Sequence, residues 1–146
     1  MTPATASPPA SAEFQFLNDT IVVRTAASDT DGAYTVLDWT AAADFAVPTH
    51  SHEAYDETFV MLNGTLDITM GAETTTLTPG QSLHVPKGAR HSYRTPQDSS
   101  ARILLIIRPA GLEELFYRHR TDSEAFDFDA YLKDAKNEFG TEYSLA

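Results

Sequence analysis

Three imidazoles and one carboxylate stand at spacings that could bring them to a single point. In the stretch PTHSHEAYDETFVMLNG, His50 and His52 lie two residues apart, and on a strand such residues project from the same face. Glu57 follows after a short connection, where parity with Phe59 and Met61 puts it on the face expected to turn inward. That parity favours Glu57 over the neighbouring carboxylates Glu53 and Asp56. In the second stretch, PGQSLHVPKGARHSY, a strand ends at Pro86, a turn uses Gly88, and His91 opens the next strand. The chain has no cysteine, so a metal site must be built from nitrogen and oxygen donors. Three imidazoles and a carboxylate are a borderline-hard set, suited to one divalent ion per chain: Fe, Mn, Co, Ni or Zn. Octahedral coordination by these four side chains would leave positions open for water or substrate.

The two stretches resemble the paired motifs of the cupin superfamily. There the first motif reads Gly, five residues, His-x-His, three or four residues, Glu, six residues, Gly. The second reads Gly, five residues, Pro-x-Gly, two residues, His, three residues, Asn. His50, His52, Glu57 and Gly64 match the first in identity and spacing, and Gly80, Pro86, Gly88 and His91 match the second. Asp44 stands where the leading Gly is usual and Thr95 where the final Asn is usual. Neither position is a metal ligand in the family, so the departures touch only local turn geometry. The resemblance spans Tyr34 to Pro109 and implies an all-β fold, an antiparallel jelly-roll barrel with the metal inside its mouth on His50, His52, Glu57 and His91. It also implies a homodimer.

The elements that must position these residues are short strands. The runs FQFL, IVVRT, AYTVLDW, ETFVMLN, TLDITM, TTTLT, SLHVP and ARILLIIR are separated by Asp31-Gly32, Asn63-Gly64, Gly71-Ala72 and Pro79-Gly80. Asn63-Gly64 carries the strongest hairpin signal, because a type I′ turn needs positive φ at both positions. After Pro109 the period changes. Phe128, Tyr131, Leu132, Ala135 and Phe139 recur at helical spacing before Gly140, a C′ stop, and GLEELFYRHR reads as a shorter helix. The expected organisation is a flexible tail over residues 1–13, a barrel over 14–110 and a helical extension over 111–146. ETFVML and ILLII are apolar on both faces, so a second covering layer, a partner copy, is expected outside them.

Of the 146 residues, 42% are hydrophobic and 21% charged, ordinary for one globular domain. The formal net charge of −11 repels phosphate backbones and anionic lipid, which argues against nucleic acid and membrane surfaces as partners. No apolar run approaches the roughly 20 residues that cross a bilayer, and the opening MTPATASPPASAEF lacks the regions of a secretory signal. A cytoplasmic protein with a small-molecule substrate is expected. His84 reads as a core or interface imidazole, and His119, between Arg118 and Arg120, as part of a solvated basic face. Tyr93 and Arg94 could line the mouth or pack a strand, Arg102 and Arg108 bracket a buried strand, and Trp39, Phe59 and Met61 read by default as core.

The segment ARILLIIRPAGLEELF is similar to single-domain cupins of the quercetinase-like kind, and cupin-type polyketide cyclases share the size and build. The leading expectation is a metal-dependent dioxygenase acting on an enolic or phenolic small molecule, with Glu57 as proton carrier. A polyketide cyclase or isomerase is the alternative, and a non-catalytic metal-dependent binding protein the second.

Overall fold

The computed structural model describes residues 7–145. In chain order the elements are β1 (Glu13–Phe16), β2 (Asp19–Thr25), β3 (Thr35–Ala41), β4 (Ala46–His52), β5 (Asp56–Asn63), β6 (Leu66–Met70) and β7 (Glu73–Leu77). They continue with β8 (Ser82–Val85), β9 (His91–Arg94), β10 (Ala101–Arg108), α1 (Glu113–Arg118), α2 (Phe128–Phe139) and β11 (Thr141–Tyr143). Alternation decides which face of each strand turns inward. In β10, for example, Ala101, Ile103, Leu105 and Ile107 are buried, whereas Arg102 and Arg108 face out. The strands form a six-stranded antiparallel sheet, β1-β2-β3-β10-β5-β8, and a five-stranded one, β11-β4-β9-β6-β7. Their apolar faces meet in a jelly roll: Ile21, Leu37, Met61 and Ile107 come from the larger sheet, Leu66 and Ile68 from the smaller.

The Asn63-Gly64 hairpin does not form. β5 pairs with β10 and β8, and β6 with β7 and β9, so this turn carries the chain from one sheet to the other. Gly64 is needed there for a different reason: at φ +77°, a Cβ would stand 2.6 Å from the Ser100 carbonyl oxygen. Two-residue hairpins form instead at Gly71-Ala72, where Met70 faces Glu73, and at Leu17-Asn18, where Phe16 faces Asp19. Of the expected flexible tail, residues 1–6 lie outside the described residues. Ser11 and Ala12 are held by backbone hydrogen bonds to Val23, and Pro8 is buried.

Both expected helices form. Asp127 caps α2 by accepting from the Ala130 amide, and Gly140 ends it at φ +60°. The extension is not purely helical, however, because β11 returns to pair with β4. His84 is exposed and bonds Thr58 at 2.9 Å, so it is no core residue. His119 is not solvated either. It packs edge-on against Tyr131 and meets Asp134 at 2.7 Å, tying α1 to α2. On the outer face of the larger sheet, Arg24 and Arg102 grip Asp38 at 2.9 and 2.7 Å, and Arg108 takes Asp56 at 2.9 Å. Among the described residues no helix is long and apolar enough to cross a membrane.

Glu113 is buried where α1 meets β3. Its Oε1 accepts from the Gly111 amide and the Thr35 hydroxyl, while Oε2 has no partner among the described residues. Burial raises its pKa. The neutral form therefore fits the fold, and this contribution to stability is complete below the unfolded-state pKa and is lost as pH rises through the raised folded value. Glu113→Gln should match the wild type near pH 4 and melt a few degrees higher at pH 8. Thermal unfolding across that range checks it, and a gap that closes as pH rises would contradict it.

Candidate metal centre and its cavity

In the smaller sheet β4 and β9 lie side by side with His50 opposite His91, and β5 brings Glu57 from the larger sheet. Glu57 sits opposite Ile107 and Val85, in the same inward row as Phe59 and Met61, as parity requires. Glu53 is exposed and Asp56 is engaged by Arg108, so neither competes for the site. His50, His52, Glu57 and His91 are each no more than 5% exposed. One donor atom from each falls within a span of 4.8 Å. Nε2 of His52 and of His91 each lie 3.2 Å from Oε1 of Glu57. Two donors bound about 2.1 Å from a shared ion stand roughly 3.0–3.4 Å apart in octahedral or tetrahedral geometry, so the spacing suits ligation.

The other nitrogen of each ring is already in use. His50 Nδ1 donates to the Pro48 carbonyl and His91 Nδ1 to the Ala89 carbonyl, both at 2.9 Å. His52 Nδ1 lies 2.7 Å from the Thr141 hydroxyl, which directs its own proton to the Phe139 carbonyl and so accepts from the ring. With the proton fixed at Nδ1, each neutral ring keeps its Nε2 lone pair for an ion. Burial and the neighbouring His91 and His52 hold His50 down at about 3, so it is uncharged at neutral pH. Burial alone would raise Glu57, but His52 and His91 outweigh it and hold the carboxyl well below the usual range. For His91 burial works against the charged form, yet Glu57 beside it raises its pKa. The four residues could hold a divalent metal ion, and their chemistry and spacing fit one.

Both motif departures are accommodated. Asp44 adopts φ +56°, a left-handed conformation that Asp tolerates better than most residues. Thr95 is buried, donates to the Ala42 carbonyl at 2.7 Å and accepts from the Phe45 amide at 2.9 Å, pinning β9 to the turn before β4.

A cavity of about 130 Å³ ends on His50, His52 and Glu57, walled by Phe16, Trp39, Phe59, Tyr93, Tyr131 and Tyr143. Trp39 and Phe59 thus line it, Met61 is core, and Tyr93 turns inward while Arg94 is exposed. One wall comes from the C-terminal segment, where register places Tyr143 opposite His50 and Thr141 opposite His52. The Tyr143 ring stacks on the His50 ring at 4.9 Å and 24°, and its hydroxyl lies 2.6 Å from that of Tyr131. Burial raises all three tyrosines, Tyr143 to about 12. Asp19 also faces the cavity, held by the Trp39 indole and the Ala42 amide at 2.8 Å each. Sequence reasoning passed over Thr141, Tyr143 and Asp19. The available signal was the alternating Thr-Glu-Tyr directly after the helix stop at Gly140.

A double-sheet jelly roll with three histidines and a glutamate buried between its sheets defines a small β-protein with a candidate metal centre. Residues 39–107 match the cupin domain family. The match runs from β3 into β10 and takes in all four candidate ligands. It is 33% identical over 93 residues to quercetin 2,3-dioxygenase of Bacillus subtilis (strain 168), which is 64% of this chain but 27% of that protein. Among solved structures, the polyketide cyclase RemF from Streptomyces resistomycificus superposes with a TM-score of 0.55 at 16% identity, over 76% of this chain and 84% of that one. The cupin domain of Schizosaccharomyces pombe Cnp3 gives 0.57 at 15% identity, over 72% and 69%. At these identities the two structures share the fold with this chain.

Purified protein should carry about one divalent ion per chain by elemental analysis, and His91→Ala should lose it. Thr141→Val, which removes only the acceptor behind His52, should weaken metal affinity by about 10- to 100-fold in a chelator competition. Full occupancy in His91→Ala would contradict the assignment.

Proposed function

We propose that the protein is a metal-dependent enzyme that oxidatively cleaves a planar enolic or phenolic small molecule with O₂. The observation that carries this reading is a single cavity with aromatic walls that ends on His50, His52 and Glu57. The 33% identity to a quercetin 2,3-dioxygenase supports the same direction. A bound divalent ion would be held by His50, His52, Glu57 and His91 and would supply Lewis acidity that lowers the pKa of an enol or phenol oxygen. Glu57, ionised at the end of the cavity, accepts the proton that this oxygen releases. The aromatic walls orient a flat ring and exclude water, which strengthens the interactions of the Glu57 charge. In a dioxygenase both atoms of O₂ enter the products, so no external reductant is required.

With quercetin or a polyketide-like phenol as substrate, O₂ uptake should match substrate loss one to one and stop under strict anaerobiosis. Glu57→Gln should lower the rate by about 10² to 10⁴. Undiminished product formation without O₂, or with zinc alone in the site, would overturn the oxygenase reading. It would favour ring closure or isomerisation, which needs the same deprotonated oxygen but no electron transfer.

We also propose that a second copy covers the outer face of the larger sheet. Val36, Val60, Leu104 and Ile106 are only half-buried there, and Leu62 is 38% exposed. The paired arginines on Asp38 and Asp56 lie on the same face. Light scattering at micromolar concentration should give twice the mass of one chain; the mass of a single chain would refute the dimer.

A further inference from the structure

Three tyrosines, Tyr93, Tyr131 and Tyr143, line the cavity together with Glu57. Among the described residues they make one hydrogen bond, between Tyr131 and Tyr143 at 2.6 Å. A hydroxyl pair spends one proton on its own bond, whichever partner donates, and keeps the other. The walls around the pair are mostly carbon, and leaving a donor unmatched in such surroundings is costly. A core that needed only bulk at these positions would be served by phenylalanine, as at the adjoining Phe16 and Phe126.

The placement of the pair is set by the backbone. The β4–β11 ladder puts Tyr143 opposite His50, and ring stacking at 24° fixes its plane against that histidine. Tyr131 comes from α2, 4% exposed, with its ring wedged between Phe16 and Phe126. A rigid aromatic on each side therefore holds the two oxygens together at the cavity wall.

We propose that Tyr143 binds substrate, its hydroxyl donating to an anionic or carbonyl oxygen, and that Tyr131 is the residue that positions it. This rests on the proposed enolic or phenolic substrate and deepens it. A ligand with an acidic hydroxyl for Glu57 and a further oxygen acceptor for the phenols, on a flat apolar body, matches Glu57 and the phenols, while the Trp39 indole and the Ala42 amide already occupy the Asp19 oxygens. Tyr93, with no hydrogen bond to the described residues, offers a second donor to the same ligand.

The test uses 4-nitrocatechol, a flat phenol whose visible band reports its ionisation, titrated into full-length protein loaded with one equivalent of zinc. Tyr143→Phe keeps the ring on His50 and removes only the oxygen. It should retain the metal and the melting temperature, weaken binding by about 10- to 100-fold, and move the band of the bound ligand toward that of the ligand in solution. Tyr131→Phe should shift the band the same way with a smaller loss of affinity, because the donor remains but is no longer held. Wild-type affinity and spectrum in Tyr143→Phe would overturn this inference and leave the proposed function standing. A loss confined to Tyr131→Phe would overturn the assignment of roles. If the loaded wild type does not bind 4-nitrocatechol, or binds it equally without metal, both this inference and the function it rests on fail.

Discussion

Glu57 belongs to one sheet and the imidazoles that face it belong to the other. A carboxylate this buried, 4% exposed, costs several kcal/mol unless charge and hydrogen bonds compensate. Nε2 of His52 and of His91 stand 3.2 Å from it, where a proton on a ring or an ion held between them supplies that compensation only while the sheets keep their separation. The apolar layers on either side set that separation, with Ile107 and Met61 behind Glu57 and Ile68 in the facing sheet. Packing and electrostatics are therefore coupled. The jelly roll puts four donors within reach of one another, and the donors in turn make a charged residue tolerable in the core.

A second layer of contacts makes the arrangement specific. Each histidine spends Nδ1 on a fixed acceptor, two of them backbone carbonyls two residues earlier in the chain. The third acceptor, Thr141, belongs to β11 and comes from the far end of the chain. The C-terminal segment is thus part of the site in three ways. It orients His52, stacks on His50 through Tyr143, and walls the cavity with Tyr131. Its helix packs on the barrel through Tyr131, Ala135 and Phe139, so the anchoring face and the cavity face share a residue.

The candidate ligand cluster was legible because strand periodicity is local: residues two apart share a face, and Phe59 and Met61 mark that face for Glu57. Both helices were legible for a similar reason, the longer one from periodic apolar residues that stop at Gly140. What escaped notice depended on distant pairing. β11 is three residues long, so its Thr-Glu-Tyr alternation is a faint signal, and only its register with β4 gives Thr141 and Tyr143 a role. Asn63-Gly64 misled because a turn dipeptide reports local backbone preference, whereas the sheet each flanking strand joins is decided by which apolar face must be covered. His84, which is not in the core, and His119, which packs between the helices, departed from expectation for the same reason. Exposure is set by what packs above a residue, and its sequence neighbours do not reveal that.

The central claim is that one ion is held by both sheets through Nε2 of three histidines and a carboxylate oxygen of Glu57. Anomalous diffraction at the absorption edge of the bound metal, from crystals of protein loaded with one equivalent, tests it most directly. The account requires a single peak about 2.0–2.2 Å from Nε2 of His50, His52 and His91 and from one oxygen of Glu57. A peak away from these residues, or one bound through Nδ1 with the Pro48, Ala89 and Thr141 contacts broken, would contradict it.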